Sequence, residues 1–437
     1  MIIRVILVHI GLVFYFSSVG QAGRVEQRER AQQLIDRYEI KYGHYDGFLG
    51  LSPKSRSEIR DYFFLLDSVG LSEQEMYDRQ IILDDMAEFQ VAIESDSKSW
   101  WKHFYENKSH FYSVKKKDFW FSANSILFLR AGLDNSNDLV LQNTRAARIK
   151  GALGSNMYFS AAIYENQASF QSYHEKTINR FQTIPGQAFY KDFDFGINNS
   201  AFDYLNGDGY VGMSLNKFTN VEFGHGRQFI GHGMRSLLLS DFATNYLYLR
   251  ANTKFWKFNY QNLFTELTPF TEKLVAGDVP LPKKYMAQHL LSFKPNHRWE
   301  LAVFETVIFS RENQFELQYL NPIMLYRTVE QFLNSPDNVI LGAQAKWNPI
   351  NGYQLYGQVI VDEFKLGALR EDIGWWGNKF GAQIGLKAID FLGIQFLDLQ
   401  GEFNAVRPYT YTHRRSFDDY EISKANYSHF SQPLAHP

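Results

Sequence analysis

The chain has 437 residues, with 45 Lys and Arg against 47 Asp and Glu and a formal net charge of −2; no basic excess exists to neutralise phosphates, so nucleic acid is not an expected partner. Cysteine is absent, which excludes disulfides, thiolate metal sites and thiol nucleophiles. Aromatics reach 16%, with 38 Phe and 26 Tyr, and the mean hydropathy of −0.33 argues against a helical membrane protein while permitting a barrel whose lumen face and loops are polar.

The first residues read as a secretory signal over 1–22. Met1-Ile2-Ile3-Arg4 supplies a short positive start, Val5 to Phe16 an apolar stretch, and Gly20-Gln21-Ala22 a small-x-small cleavage pattern. The stretch is too short for a spanning helix, which needs about 20 apolar residues. No cysteine follows the cleavage pattern, so lipoprotein anchoring is excluded.

Residues 23–112 read as a periplasmic helical segment. Ala31, Leu34, Ile35 and Tyr38 lie at helical spacing, as do Ile59, Phe63 and Leu66, and then Met76, Ile81, Leu83, Met86, Phe89 and Val91. Ser72, followed three residues later by Glu75, is a capping-box arrangement. Three short helices are predicted, placed to close or brace the mouth of a barrel.

From 113 to 437 the pattern changes to period two, and short connections alternate with long ones. Tight turns fall at Gly154-Ser155-Asn156, Lys217 to Asn220, Lys257, Pro295-Asn296-His297, Asn348 to Gly352 and Ala388 to Phe391. Long excursions lie near 169–205, 226–244, 268–284, 311–337, 365–377 and from 405 onward. Such alternation puts tight turns at one end of a meander and long loops at the other, the signature of an outer-membrane up-and-down barrel. In Lys379 to Ala388, Ala382, Ile384 and Leu386 share one face while Lys379, Gln383 and Lys387 share the other. Leu247, Leu249, Ala251 and Phe255 likewise oppose Tyr246, Tyr248, Arg250, Asn252 and Lys254. The polar face is charged and the apolar face nearly free of charge, over strands of about 10 residues that match a tilted membrane crossing. The fold class is therefore mainly β, a transmembrane antiparallel up-and-down β-barrel preceded by a small periplasmic α-helical segment.

About thirteen strands are predicted, beginning near Phe119, Thr144, Met157, Tyr210, Val221, Tyr246, Phe258, Tyr285, Trp299, Val339, Tyr353, Lys379 and Gly393. Closed single-chain bacterial barrels have an even number, and Gln432-Pro433-Leu434-Ala435-His436-Pro437 is no membrane strand. The expectation is a barrel incomplete at its C-terminal end, with residues missing after Pro437.

The run Gly224 to Asp241, containing Ser236-Leu237-Leu238-Leu239-Ser240 and followed by Asn245-Tyr246-Leu247-Tyr248-Leu249, resembles the signature of the capsule-assembly Wzi family. The closer likeness is to the gliding-motility RemB-type outer-membrane proteins. Trp376 to Lys387 and Asn426 to Phe430 carry further resemblance, and the whole covers roughly residues 30–437. The resemblance implies a barrel of about 18 strands with a periplasmic helical bundle, acting without catalysis in capsule or exopolysaccharide assembly, surface attachment or gliding. One departure is that the Wzi-type Trp-Trp-Gly-Pro-Gly stands here as Phe229-Ile230-Gly231-His232-Gly233.

The candidate ligand residues lie at loop positions. Arg227, His232, Arg235 and Asp241 share one loop, where Arg and Asp can pair with sugar hydroxyls or acidic sugar carboxylates, or hold the loop inside the lumen by ion pairs and Gly-permitted turns. Trp375 and Trp376 sit where a long loop enters a strand, to stack on pyranose rings or to form an interface girdle. Tyr409 and Tyr411, in the stretch Tyr409 to Arg415, are placed beyond the strand as ligand surface. Asn206-Gly207-Asp208-Gly209 lacks the closing Glu of a calcium loop and reads as a turn opening the Tyr210 strand. His225 and His232 have no partners at metal-ligand spacing, and neither a Gly-x-Ser-x-Gly elbow, an HExxH nor a P-loop appears. No enzyme activity, metal or cofactor is expected. The expected location is the cell outer membrane. The expected partners are outer-membrane lipid, surface polysaccharide or capsule, and gliding or secretion machinery. A porin-like channel for small solutes is the alternative.

Overall fold

The computed structural model describes residues 24–25, 30–89, 100–105, 107–134, 139–187, 189–196, 200–269, 281–311, 314–335, 337–363, 377–413 and 425–436. The signal reading over 1–22 falls outside them.

Period-two segments become a meander. Its strands are β1 (Tyr112–Lys116), β2 (Phe119–Leu133), β3 (Leu139–Leu153), β4 (Met157–Ser169), β5 (Ser200–Ser214), β6 (Thr219–Gly226) and β7 (Tyr246–Phe255), followed by β8 (Phe258–Leu267), β9 (Lys284–Asn296), β10 (Trp299–Phe309), β11 (Asn338–Trp347), β12 (Tyr353–Glu363), β13 (Lys379–Ala388) and β14 (Leu399–Val406). Each pairs antiparallel with its sequence neighbours in one 15-stranded sheet, to which Lys191–Asp194 adds a short strand beside β5. The sheet is barrel-shaped but not closed: β1 and β14 are its edges and do not pair with each other among the described residues.

Side-chain alternation assigns the two faces. Ile384, Leu386, Leu247, Leu249, Val303 and Phe403 are exposed on the outward face, whereas Gln383, Tyr246, Tyr248 and Glu300 are buried on the inward one. The register keeps like with like, since Ile384 stands opposite Phe403 on one side and Gly357 on the other. Short connections alternate with mostly longer ones along the wall, the link between Leu133 and Leu139 being the short one at the long-loop end.

Four sequence expectations need correction. β1 was not anticipated, and it makes the path one strand longer. β2, β3 and β5 each run 15 residues rather than about 10, which shrinks the first long-loop-end connection, between Leu133 and Leu139, to a short one. Asn206-Gly207-Asp208-Gly209 is no turn: it lies inside β5, with Gly207, Asp208 and Gly209 paired to Ile163, Ala162 and Ala161 of β4. The β13–β14 turn runs past Phe391 to Asp398, through a short 3-10 turn at Phe391–Gly393, so β14 starts at Leu399.

The helical segment folds as three short helices, α1 (Arg30–Tyr42), α2 (Arg56–Leu65) and α3 (Glu73–Asp85). Ser72 caps α3 as expected: its hydroxyl accepts the Glu75 amide at 3.4 Å and the Glu75 carboxylate accepts the Ser72 amide at 3.0 Å. Ile35, Tyr38, Ile59, Phe63 and Ile82 form its own core. The segment docks on the short-turn end of the wall. Arg37 pairs with Asp390 and, at 2.9 Å, with Asp398 in the β13–β14 turn. Lys254 meets Glu58 at 3.1 Å. At the β11–β12 turn Gly352, with φ +87°, can adopt the left-handed backbone that other residues avoid, and its N–H donates to the Ile40 carbonyl at 2.8 Å.

Two further helices lie in long connections, α4 (Ser172–Phe181) after β4 and α5 (Tyr326–Leu333) after β10. No described helix is long and apolar enough to cross a membrane.

Candidate functional site

The β6–β7 connection does not extend away from the wall but turns into the lumen. Two glycines make its path sterically open. A Cβ on Gly233 would stand 2.1 Å from Glu402 Oε2, and one on Gly50, in the loop it meets, would stand 2.4 Å from Gln344 Nε2, so a side chain at either position would displace these polar ends.

Ser236 organises the inserted loop. Its buried hydroxyl donates to the Ile230 carbonyl and accepts the amides of Leu238 and Leu239 at 3.1 and 3.2 Å. Gln358, an inward residue of β12, accepts the Leu237 amide at 2.8 Å and donates to Ile230 O at 3.0 Å. Leu237, Leu238 and Leu239 are fully buried against inward residues of the wall, among them Leu263, Leu290, Phe304, Ile340 and Ile360. The Ser-Leu-x-Leu-Ser run on which the family resemblance rests is thus the apolar centre of a lumen plug.

Residues 425–436 complete the plug from the long-loop end. A small hairpin pairs Ser428–His429 with Gln432–Pro433. The Tyr427 hydroxyl donates to Leu238 O at 2.6 Å, and the Ser240 amide donates to Leu434 O at 2.7 Å. On the other side, Phe229 and Ile230 pair as a short ladder with Ser52 and Leu51 of the helical segment. Buried Glu300 then accepts the Leu49 and Gly50 amides at 3.0 and 2.8 Å. Packing is therefore continuous along the lumen, from the Tyr427 hairpin through Leu237–Leu239 and the Ile230–Leu51 ladder to the helices. A cavity of about 60 Å³ remains beside Lys54, Glu58, Arg250 and Gln261, room for a few waters.

The sequence candidates are distributed through this plug. Arg227 ties the two ends of the loop together, donating to Asn245 Oδ1 and to the Asp241 carbonyl, both at 3.0 Å. Asp241 is buried. His232 is buried beside Glu300, 3.6 Å from its carboxylate, far inside the wall. Tyr411 donates its hydroxyl to Leu237 O at 2.9 Å and its amide to the Asp362 carboxylate at 2.9 Å, and stacks on Tyr427. Arg235 and Tyr409 are exposed. Trp375 and Trp376 lie outside the described residues. The structure thus places Arg227 with Asp241 at the ends of the inserted loop and Tyr411 on its Leu237 carbonyl, while Arg235 and Tyr409 are the more exposed candidates.

Sequence reasoning did not single out Ser236, Gln358, Glu300 or Tyr427 as site-forming. The available signal was polar glutamines at inward strand positions, Gln344, Gln358 and Gln383, each poised to meet backbone from something inside the barrel. Gln383 Nε2 indeed donates to the Arg235 carbonyl at 3.1 Å. Among the described residues no group of three or more His, Asp or Glu is arranged to hold a metal.

No protein-family profile and no curated protein sequence matches the chain. Its fold is similar to the solved structure of Wzi, an outer-membrane protein involved in group 1 capsule assembly in Escherichia coli and described as a carbohydrate-binding β-barrel. The identity is 14%, the alignment covers 95% of this chain and 78% of that one, and the TM-score is 0.52.

Proposed function

We propose that this chain is an outer-membrane β-barrel that binds surface polysaccharide without chemical change, in capsule or exopolysaccharide assembly, surface attachment or gliding motility. The observation that carries this reading is the filled lumen: the Ser236–Ser240 run, the Tyr427 hairpin and the docked helices occupy the space a solute would need. The likeness of fold to a carbohydrate-binding outer-membrane barrel supports it. In this reading residues 1–22 are a signal removed on export, 23–112 face the periplasm and 113–437 form the barrel, with its plug inserted from within that stretch. The short-turn end is periplasmic and the long-loop end external. Gliding or secretion machinery would meet the chain from the helical side.

The polysaccharide surface is proposed at Arg235 and Tyr409, together with Trp375 and Trp376, while Arg227, His232, Asp241 and Tyr411 hold the plug that presents it. Exposed guanidinium and phenol groups suit sugar hydroxyls and acidic sugar carboxylates. The test is binding of the detergent-solubilised full chain to polysaccharide extracted from the surface of the producing cells, measured by calorimetry. A combined Arg235→Ala and Tyr409→Ala change is expected to weaken binding at least about tenfold, roughly 1.4 kcal/mol, with normal barrel abundance. Arg227→Ala is expected to lower the abundance of folded barrel. Absence of binding by the intact folded chain would sink the proposal, and steady ion conduction would favour a solute channel.

A further inference from the structure

Residues 314–335, in the connection between Ser310 and Asp337, lie against the outside of the wall instead of over its end. Tyr319, Tyr326 and Val329 are buried on Ala287, Val307, Phe309 and Val339, which point outward from β9, β10 and β11. The excursion is fixed in place. Arg311 donates through both terminal nitrogens to Asp337 at 2.7 Å, the Tyr319 hydroxyl donates to the same carboxylate at 2.7 Å, and the Arg327 amide donates to Glu305 at 3.2 Å. The Tyr260 hydroxyl reaches the Pro322 carbonyl.

Its exposed side carries many large apolar side chains. Leu317, Leu320, Ile323, Met324, Leu325 and Phe332 are all exposed, with Ile323 at 86% and Phe332 at 80%. So many large apolar side chains on one short, well-anchored segment are unusual for a surface in water and mark a contact with something apolar. What they contact follows from continuity. Leu341 lies one outward position below Val339 on β11, and Val303, Val359 and Ile384 continue the exposed apolar face across the neighbouring strands. The excursion, seated on Val307 and Val339, adjoins that belt.

Its underside supplies a second reason. Asn262, His289 and Glu305 stand opposite one another on β8, β9 and β10, a polar row on the outward face. All three are buried beneath the excursion, with the Tyr326 ring stacked on His289 at 4.1 Å. Polar and charged groups on a lipid face are costly in a depth-dependent way, and the excursion screens this row.

We propose that residues 314–335 form a collar embedded in the outer leaflet, its apolar side in contact with lipid acyl chains and its Arg327–Glu330 pair turned to the headgroups. An apolar face at the headgroup–acyl boundary with a charged pair beside it is how interfacial amphipathic elements sit. The proposal rests on the reading of the wall as membrane-spanning, and the test separates the two. The chain has no native cysteine, so single nitroxide labels are placed at Ile323→Cys and Phe332→Cys. References are Ile384→Cys on the wall and Tyr409→Cys at the long-loop end. All are exposed side chains whose replacement leaves the Tyr319, Tyr326 and Val329 packing intact. In vesicles of phosphatidylcholine and phosphatidylglycerol, collisions with oxygen relative to a water-soluble nickel chelate are expected to be at least about threefold higher at Ile323 and Phe332 than at Tyr409, and to approach the value at Ile384. Nickel-accessible collar labels beside a lipid-immersed Ile384 label would overturn the collar and leave the wall reading intact. Collar labels shielded from both reagents would also overturn it, pointing to a protein cover. A nickel-accessible Ile384 label would bring down the membrane reading itself.

Discussion

Lys346 of β11 and Glu39 of α1 form an ion pair at 2.6 Å with both side chains fully buried, and Asn348 donates to the other Glu39 oxygen at 3.1 Å. This pair joins the helical segment to the inside of the wall at the foot of the plugged lumen. A buried pair contributes little net stability against an apolar replacement, but removal of one partner strands a charge in a low-dielectric site at a cost of about 3–5 kcal/mol. Glu39→Ala and Lys346→Ala are each expected to lower the unfolding free energy by that order in lipid vesicles, and the double change Glu39→Leu with Lys346→Met by much less. Equal losses for single and double variants would contradict the buried-pair account.

The docking of α1 on the β13–β14 turn should weaken in acid. Burial pushes the Asp390 carboxyl upward, but the hydrogen bonds from Lys41 and the Phe396 amide and the charges of Arg37 and Lys41 outweigh it and hold the group below the usual carboxylate range. Glu75 is likewise lowered: burial opposes, while Lys41 and the Ser72 amide prevail. Carboxyls with depressed folded pKa values stabilise fully above their unfolded values of about 4, and the contribution is lost as pH falls from there through the folded values. Stability differences between the natural chain and Asp390→Asn should be constant between about pH 5 and 8 and shrink below about pH 4. A difference that grows on acidification would be inconsistent with this clamp.

Depth dependence tests the outward face. Ile384 lies mid-strand in β13, and Leu399 begins β14 beside the short-turn end. Both are exposed. In a bilayer Ile384→Arg should cost about 2–4 kcal/mol and Leu399→Arg about 0–1 kcal/mol, read from guanidinium titrations in lipid vesicles. Equal small costs would place this face in water.

What was legible in the sequence was what depends on local pattern. Alternation of short and long connections predicted the meander, because a tight turn can only join adjacent antiparallel strands. Helical spacing and the Ser72–Glu75 cap marked α3. What failed had physical causes. Asn206 to Gly209 carries turn-forming residues, yet it continues as strand because β4 supplies a full backbone ladder across from it. The partners of the Tyr411 hydroxyl and amide, Leu237 and Asp362, were not visible in the sequence, because they lie on distant stretches of chain. The plug joins Leu238 to Tyr427 and Ser236 to His436, contacts between distant stretches that no periodicity encodes. The collar was unreadable for the same reason: the Tyr326 and Val329 spacing suggests a short amphipathic helix, but not that its cover is the outside of the wall.

The most direct test of the account is ion conduction by the full chain inserted in a planar bilayer. The account holds that the Ser236–Ser240 run, the Tyr427 hairpin and the docked helices leave no continuous water path. It predicts a closed, silent protein, with steady current appearing only when residues 229–240 are replaced by a short Gly-Ser linker. A steady, voltage-independent open current through the natural chain would contradict it.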